Sequence, residues 1–517
     1  MSVDTAVPEP ETPVENLTGG RRAMLLCALG FGLVALAGLL GPSVVAVTLP
    51  QREAWHPPYW FDVHPSPWLV VGLVFAALVC GAVGVHLGLR ALAAGWQPRL
   101  RQLVGLGVGG VGAVALVPPM GSGDILMYAA YGRIAALGES PYVTAPADVS
   151  RTGYDPVASA TELPWQEKTS VYGPIATWLQ EAASRVAGES THTTVMWLHL
   201  VNALAYVVVG LLVVVLAGRD PGARARAALL VLANPVLVWA VVAGAHNDAQ
   251  AVMFAVAALV VARRSAFAAG RAFAAGVLVG LGGAVKLNVG LFGLALLWGM
   301  RRSKRSMAEL CAGAALALVG TYGLVGPHAF DQIRAAGSYI STGTPWRLIF
   351  GPLHLLLLPI GVARAVIAVA ALISIVLVAI LLARALPMPV FPPAGPGDPT
   401  PDAVRAAAVL CLAWVLMTHY SLPWYDLVAW VPLALLAASP VDRLLLVRTA
   451  MMSAAYVSAR VVVLPPTLDF LTTRLIDTVT PIVQAVVIVL LIRWCWQRGA
   501  RLPSPFSSRD RVAARPE

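Results

Sequence analysis

Apolar runs of about 20 residues recur along most of the chain, separated by short basic loops. Each run is long enough to cross the hydrocarbon layer of a bilayer as a helix. The first run is expected over 23–49, preceded by Arg21 and Arg22, and the second over 67–89, followed by Arg90, Arg99 and Arg101. A third, 102–119, ends just before Asp124 and opens the longest polar segment, 120–190. That segment holds two amphipathic stretches, 124–137 and 172–186, of the kind that lie along a membrane surface. A fourth run, 193–217, leads to Arg219, Arg224 and Arg226.

Three hairpins follow. Arg226 and Arg263 both sit in basic loops, so 227–262 must go out and return, with His246-Asn247-Asp248 at its apex. Arg271 and Arg301 pose the same condition over a stretch with room for only about 14 residues, or roughly 21 Å, per limb. One long helix would place Arg301, Arg302, Lys304 and Arg305 outside, against the charge rule. A pair of short limbs with Lys286 at the turn satisfies it. Spans at 307–326 and 362–383 bracket a second loop, 327–350, which holds Arg334 and Arg347. A Pro-rich linker, 386–402, is extended and spanless. The third hairpin, 404–438, turns at 419–426, which includes Trp424 and Tyr425, and spans at 443–463 and 476–494 close the chain.

The pattern predicts an all-α polytopic membrane protein with about 14 transmembrane segments and both termini cytoplasmic. One integral membrane domain covers 21–495, between a disordered cytoplasmic tail (1–20) and a basic cytoplasmic tail (496–517). Asp124, the apex 246–248, the Lys286 turn, the loop 327–350 and the apex 419–426 should all reach one external face.

Composition agrees: 58% of the 517 residues are hydrophobic and 12% charged. A net charge of +10 could suggest nucleic acid, but the basic residues lie in loops between spans, where topology alone accounts for them. The five cysteines all fall within apolar runs and form no CxxC pair, so neither a disulfide framework nor a metal site is indicated. Gly105 to Gly110 fits GxGxxG, yet it lies in an apolar run with no strand before it and reads as helix packing. There is no P-loop, GxSxG, HExxH or Asp-x-Asp. The last absence weighs against a nucleotide-sugar donor held by a metal.

Asp124 reads either as a helix cap or as a general base, since a carboxylate can take a proton from a hydroxyl within hydrogen-bond reach. Tyr128, Tyr131 and Arg133 follow it at helical spacing and favour a functional face. His246, Asn247 and Asp248 either cap their limbs in water or form a site, because ionisable groups near membrane depth are functional candidates. Lys286 either snorkels or holds a lipid phosphate as a point charge. Tyr172-Gly173-Pro174 and Pro423-Trp424-Tyr425 are aromatic turns that suit either the interfacial belt or a sugar ring. Arg334 and Arg347 are candidates for a second phosphate contact.

Taken in order, Ser122-x-Asp124…Tyr128…Gly132, Tyr172-Gly173-Pro174, Asn234-Pro235…His246-Asn247-Asp248, Ala284-Val285-Lys286 and Pro423-Trp424-Tyr425…Trp430-Val431-Pro432 form a series. The series resembles the actinobacterial polyprenol-phosphate-mannose-dependent α-(1→6)-mannopyranosyltransferases, membrane enzymes of the GT-C fold, over about 120–435. Each motif is short; the specificity lies in their order. The resemblance implies Asp124 as catalytic base and mannose transfer on the external face of the cell membrane. The donor would be a polyprenyl-phosphate sugar, the acceptor a glycolipid or mannan chain, and no cofactor is required. The family segment often reads Asp-x-Tyr-Ser-Tyr after a basic residue; here Gly123 precedes Asp124-Ile125-Leu126-Met127-Tyr128. Alternatives are a related enzyme with an arabinose or glucose donor, a glycolipid transporter, and a non-catalytic assembly partner. Polar groups gathered at one face, with no inverted repeat, argue against transport. The sequence carries no signal of oligomeric state.

Overall fold

Regular structure in the computed structural model is helical, and no strand occurs among the described residues, which are 13–50, 53, 55–263, 270–337, 339–355, 358–457 and 460–499. Most of the two expected tails, 1–12 and 500–517, lies outside them.

α1 (Pro13–Leu39) begins inside the segment expected to be disordered and packs along α2 (Pro67–Ala93). α1 stops ten residues short of the expected end of its span. Gly41, at φ +104°, turns the chain, and Pro42 cannot donate to a helix. The chain then runs back across the bundle, with Ala46 bridged to Met120. α3 (Leu100–Ala115) carries the GxGxxG glycines. A Cβ on Gly107 would lie 2.6 Å from Leu232, and one on Gly110 2.5 Å from Phe31, so these two glycines admit helices at close range.

The long polar segment folds as α4 (Asp124–Ala136), α5 (Pro146–Thr152) and α6 (Pro174–Ala187). α4 is not a surface helix. Residues 125–132 and 134 are buried between α6 and α7 (Thr191–Leu216). Gly132 permits this, since a Cβ there would meet the Gln180 carbonyl at 2.2 Å. α8 (Pro221–Ala227), α9 (Pro235–Val238) and two π-helical stretches, 228–232 and 239–243, form one limb that is buried from Ala225 onward. α10 (Asp248–Arg263) returns from its apex. α11 (Arg271–Gly283) and α12 (Gly290–Gly299) are the two short limbs expected around Lys286.

α13 (Lys304–Val325) packs on α11 and is followed by α14 (Asp331–Ala336), α15 (Trp346–Leu355) and α16 (Ile360–Ala385). α17 (Thr400–Met417), α18 (Leu427–Ala434) and α19 (Pro440–Ala455) surround the apex 419–426. α20 (Pro466–Arg474) runs through a π-helical turn into α21 (Thr480–Gly499). Among the described residues, eight helical segments are long and apolar enough to cross a membrane, and three shorter apolar helices lie at 100–115, 271–283 and 287–299. The expected total of about 14 counts these and other short limbs as crossings. The architecture is that of an all-α polytopic membrane protein.

Candidate active site

A cavity of about 370 Å³ opens where the separate polar stretches meet. Asp124, Tyr131, Lys168, Tyr172, Lys286 and Asn288 line one side of it. Tyr339, Trp414, Tyr420, Trp424, Tyr425 and Tyr456 line the other.

Asp124 is the first residue of α4, and Gly123 holds the cap position without a side-chain cap. Its backbone N–H donates to Ser122 Oγ at 3.1 Å, which leaves the carboxylate facing the cavity, 13% exposed. His246 Nδ1 stands 3.6 Å from Asp124 Oδ2. Burial pushes the Asp124 carboxyl up to about 6, with Ser122 and Lys286 pulling it down and the Asp248 and Glu162 carboxylates adding to the rise. A carboxylate so placed is still ionised at neutral pH and has unusual affinity for a proton.

The ring of His246 stacks on Trp424, 3.6 Å between centroids and 14° from parallel. The turn that presents it is strained, because Ala245 has φ +54°, outside the comfortable range of an L-residue. Buried amides hold it there. Asn202 Nδ2 donates to Ala245 O at 2.6 Å, and Gln250 Nε2 donates to Asn202 Oδ1 at 2.6 Å. Asp248 is 1% exposed and accepts from Lys286 Nζ at 2.6 Å. Lys286 also lies 4.4 Å above the Tyr425 ring. Asn247 sits behind this group, buried.

The Tyr172-Gly173-Pro174 turn is stitched to the Lys286 limb. Gly173 N–H donates to Val285 O at 3.1 Å and Ile175 N–H to Ala284 O at 2.9 Å. Tyr172 stacks edge-on against Tyr128, with the hydroxyls 3.4 Å apart. Behind Trp424 and Tyr425, Arg448 donates to Asp426 at 3.1 Å and to Ser421 Oγ at 2.7 Å, while Thr449 Oγ1 donates to Asp426 Oδ2 at 2.7 Å.

Asp124, Tyr172, Lys286, Trp424 and Tyr425 thus share the cavity wall, with Tyr128, His246, Asn247 and Asp248 packed behind it. Arg133, Arg334 and Arg347 do not line it. Arg133 is nine residues, or about two and a half turns, past Asp124, and so lies on the opposite side of α4. There it pairs with Asp155 at 2.7 Å and Glu189 at 3.0 Å. Arg334 is exposed and pairs with Asp331 at 3.3 Å on its own short helix. Arg347 sits on the first turn of α15, away from the cavity wall.

Lys168 and Asn288 were missed by sequence reasoning. Lys168 lines the cavity with no carboxylate in ion-pair range among the described residues. Both amide atoms of Asn288 are buried without a protein partner there. The only sequence signal for Asn288 was its place two residues after Lys286.

Residues 25–302, more than half of the chain, match the family model described as alpha-(1->6)-mannopyranosyltransferase, N-terminal domain. The chain belongs to this family. It is 33% identical over 134 residues to an alpha-(1->6)-mannopyranosyltransferase of Mycobacterium tuberculosis, covering 26% of this chain and 22% of that one. It is 37% identical over 139 residues to a probable alpha-(1->6)-mannopyranosyltransferase of Mycolicibacterium smegmatis, covering 26% and 24%. It is 26% identical over 157 residues to alpha-(1->6)-mannopyranosyltransferase A of Corynebacterium glutamicum, covering 30% and 31%. The chain thus matches between about a fifth and a third of these curated relatives' lengths. No solved structure matches it. The family match takes in Asp124, Tyr172, the apex 246–248 and Lys286, and ends before the aromatic wall from 339 to 456.

Proposed function

We propose that this family member transfers mannose from a polyprenyl-phosphate donor to a hydroxyl of a glycolipid or mannan acceptor, on the external face of the cell membrane. The observation that supports this reading is a buried carboxylate with raised proton affinity, Asp124, in one cavity with two lysines and a wall of aromatic rings.

Asp124 accepts the proton of the acceptor hydroxyl as the oxygen attacks the anomeric carbon. The new carbon–oxygen bond forms as the bond from that carbon to the phosphate oxygen breaks, and the electron pair leaves with the phosphate. In-line attack on a β-linked donor gives an α product. Lys286 and Lys168 neutralise the leaving phosphate, and such preorganised charge is commonly a large part of catalysis. Asp248 holds Lys286 by its 2.6 Å contact and fixes the direction of its Nζ. Trp424 and Tyr425 give a sugar ring an aromatic wall to lie against, and the buried Asn288 amide offers a donor and an acceptor to its hydroxyls.

The test is transfer of radiolabelled mannose from polyprenyl-phosphate mannose to a membrane acceptor by the native chain and by Asp124→Asn. The native chain is expected to transfer, and the variant to lose at least about a hundredfold in rate while remaining folded. A variant with undiminished transfer rejects Asp124 as the base. A native chain that transfers nothing from this donor rejects the donor assignment.

A further inference from the structure

Outside the cavity, Glu53, His56 and His192 converge between the loop that follows α1 and the N-terminus of α7. One ligand atom from each lies within 4.8 Å of the others. His192 is fully buried, and the side chains of His56 and Glu53 are 7% and 29% exposed.

Each of the two histidines turns one ring nitrogen to a proline carbonyl. A carbonyl oxygen only accepts, so the 2.8 Å contact from His56 Nδ1 to Pro57 O places a proton on Nδ1. The 3.2 Å contact from His192 Nε2 to Pro58 O likewise places one on Nε2. In a neutral ring the lone pair of His56 then sits on Nε2. That nitrogen points at Glu53 Oε2, 2.7 Å away. A lone pair cannot face a carboxylate at that distance without a proton or a metal ion between them. Meanwhile Glu53 Oε1 is fixed by two hydroxyl donors, Ser190 Oγ at 2.7 Å and Thr193 Oγ1 at 3.0 Å.

We propose that Glu53, His56 and His192 bind a divalent transition-metal ion of the zinc class, which clasps the loop around 53–60 to the start of α7. Two imidazoles and one carboxylate suit zinc, whereas calcium and magnesium prefer all-oxygen sets. The Pro57 and Pro58 carbonyls are the outer partners that orient a ligating imidazole. Binding parts the 2.7 Å contact to roughly 3.3 Å, the edge of a tetrahedron with bonds of about 2.0 Å. The fourth position is left to solvent.

The site is separate from catalysis, since none of the three residues lines the cavity. It is coupled to it structurally. The same connecting segment carries Val45 and Val47, whose backbones bond to Gly121 and Pro119 immediately before Asp124.

The experiment uses the purified full chain in detergent, stripped with chelator, incubated with zinc chloride, desalted and assayed for bound metal and thermal unfolding. One zinc per chain and a raised Tm are expected for the native protein and for Asp124→Asn, whatever becomes of mannose transfer. Glu53→Gln and His56→Asn are expected to weaken zinc binding by at least about tenfold. Glu53→Gln is near-isosteric, and circular dichroism of the metal-free proteins checks the fold of both. Cobalt(II) in place of zinc should give the visible absorption of a four-coordinate site. A native chain that retains no zinc overturns the proposal and leaves His56 and Glu53 as a proton-bridged ion pair. Equal zinc uptake by the native chain and both variants overturns it too.

Discussion

If Asp124 is the base, the acid limb of the rate profile should report its carboxyl. The ionised fraction is half at the pKa and falls tenfold for each unit below it. With the carboxyl pushed up to about 6, roughly nine-tenths is ionised at pH 7 and about one-tenth at pH 5. An ordinary aspartate would remain almost fully ionised at both. Transfer at low donor concentration should therefore drop close to tenfold from pH 7 to pH 5. The mannosyl phosphodiester has no ionisation in this range to confuse the reading. A second perturbation fixes the sign. Lys286 lowers the Asp124 carboxyl and Asp248 raises it, Lys286 being the stronger influence. The double variant Lys286→Met/Asp248→Asn removes the pair without stranding a buried charge, so its acid limb should move to higher pH. The assay is initial-rate transfer between pH 4.5 and 8, with reversibility checked by returning each sample to pH 7. A native profile flat from pH 7.5 to 5 would refute the assignment of Asp124, and a limb that moves to lower pH in the double variant would refute the electrostatics.

Other perturbations test the frame around that group. The raised carboxyl means that the folded chain holds its proton more tightly than the unfolded chain does. Ionised Asp124 therefore costs stability at pH 7, by at most about 3 kcal/mol for a shift of about two units. Asp124→Asn should melt higher than the native chain at pH 7, and the gap should close as pH falls below about 4; a lower Tm at pH 7 contradicts this. Gly173→Ala would bring a Cβ to 2.1 Å from Ala284 O and break the stitch to the Lys286 limb. It should cost about 1–3 kcal/mol in thermal unfolding and lower transfer as well. Arg448→Ala should cost about 3–5 kcal/mol by leaving Asp426 buried and unpaired, and adding Asp426→Asn should recover part of it. Equal stability of the single and double variants would show that the stranded carboxylate carries no penalty.

Much of this arrangement was legible from counting and charge. The short limbs around Lys286 followed from the distance between Arg271 and Arg301, because a bilayer of fixed thickness leaves few foldings for so short a stretch. The glycines of the third helix read correctly as packing, since nothing before them could be a strand. The end of the first helix was written in Gly41-Pro42 and was overrun by hydrophobicity alone. Arg133 was assigned to the face of the two tyrosines by helical spacing, but nine residues at 3.6 per turn carry it to the far side of the helix. The π-helical turns at 228–232 and 239–243 left no mark in the sequence pattern, since they depend on how the limb packs.

What sequence could not give is which charges meet, and the surroundings of Gly123 show why. The resemblance over 122–128 implies a basic residue just before the aspartate; here that position has no side chain. The space is taken from elsewhere in the chain. A Cβ on Gly123 would stand 2.6 Å from Glu162 Oε2. Glu162 in turn accepts two hydrogen bonds from Arg460 Nε, at 3.0 and 3.1 Å. Arg460 also donates to Ser43 O at 2.7 Å and to Ala46 O, in the segment that bridges to Met120. An ion pair whose guanidinium lies 298 residues beyond its carboxylate thus stands beside the base, and that carboxylate raises the base's proton affinity. The motif at 122–128 records only a missing side chain, and the ion pair beside it belongs to three segments at once. A basic side chain before the aspartate would lower its proton affinity, whereas the Glu162 carboxylate folded in beside it raises it, and only the second is invisible to a motif.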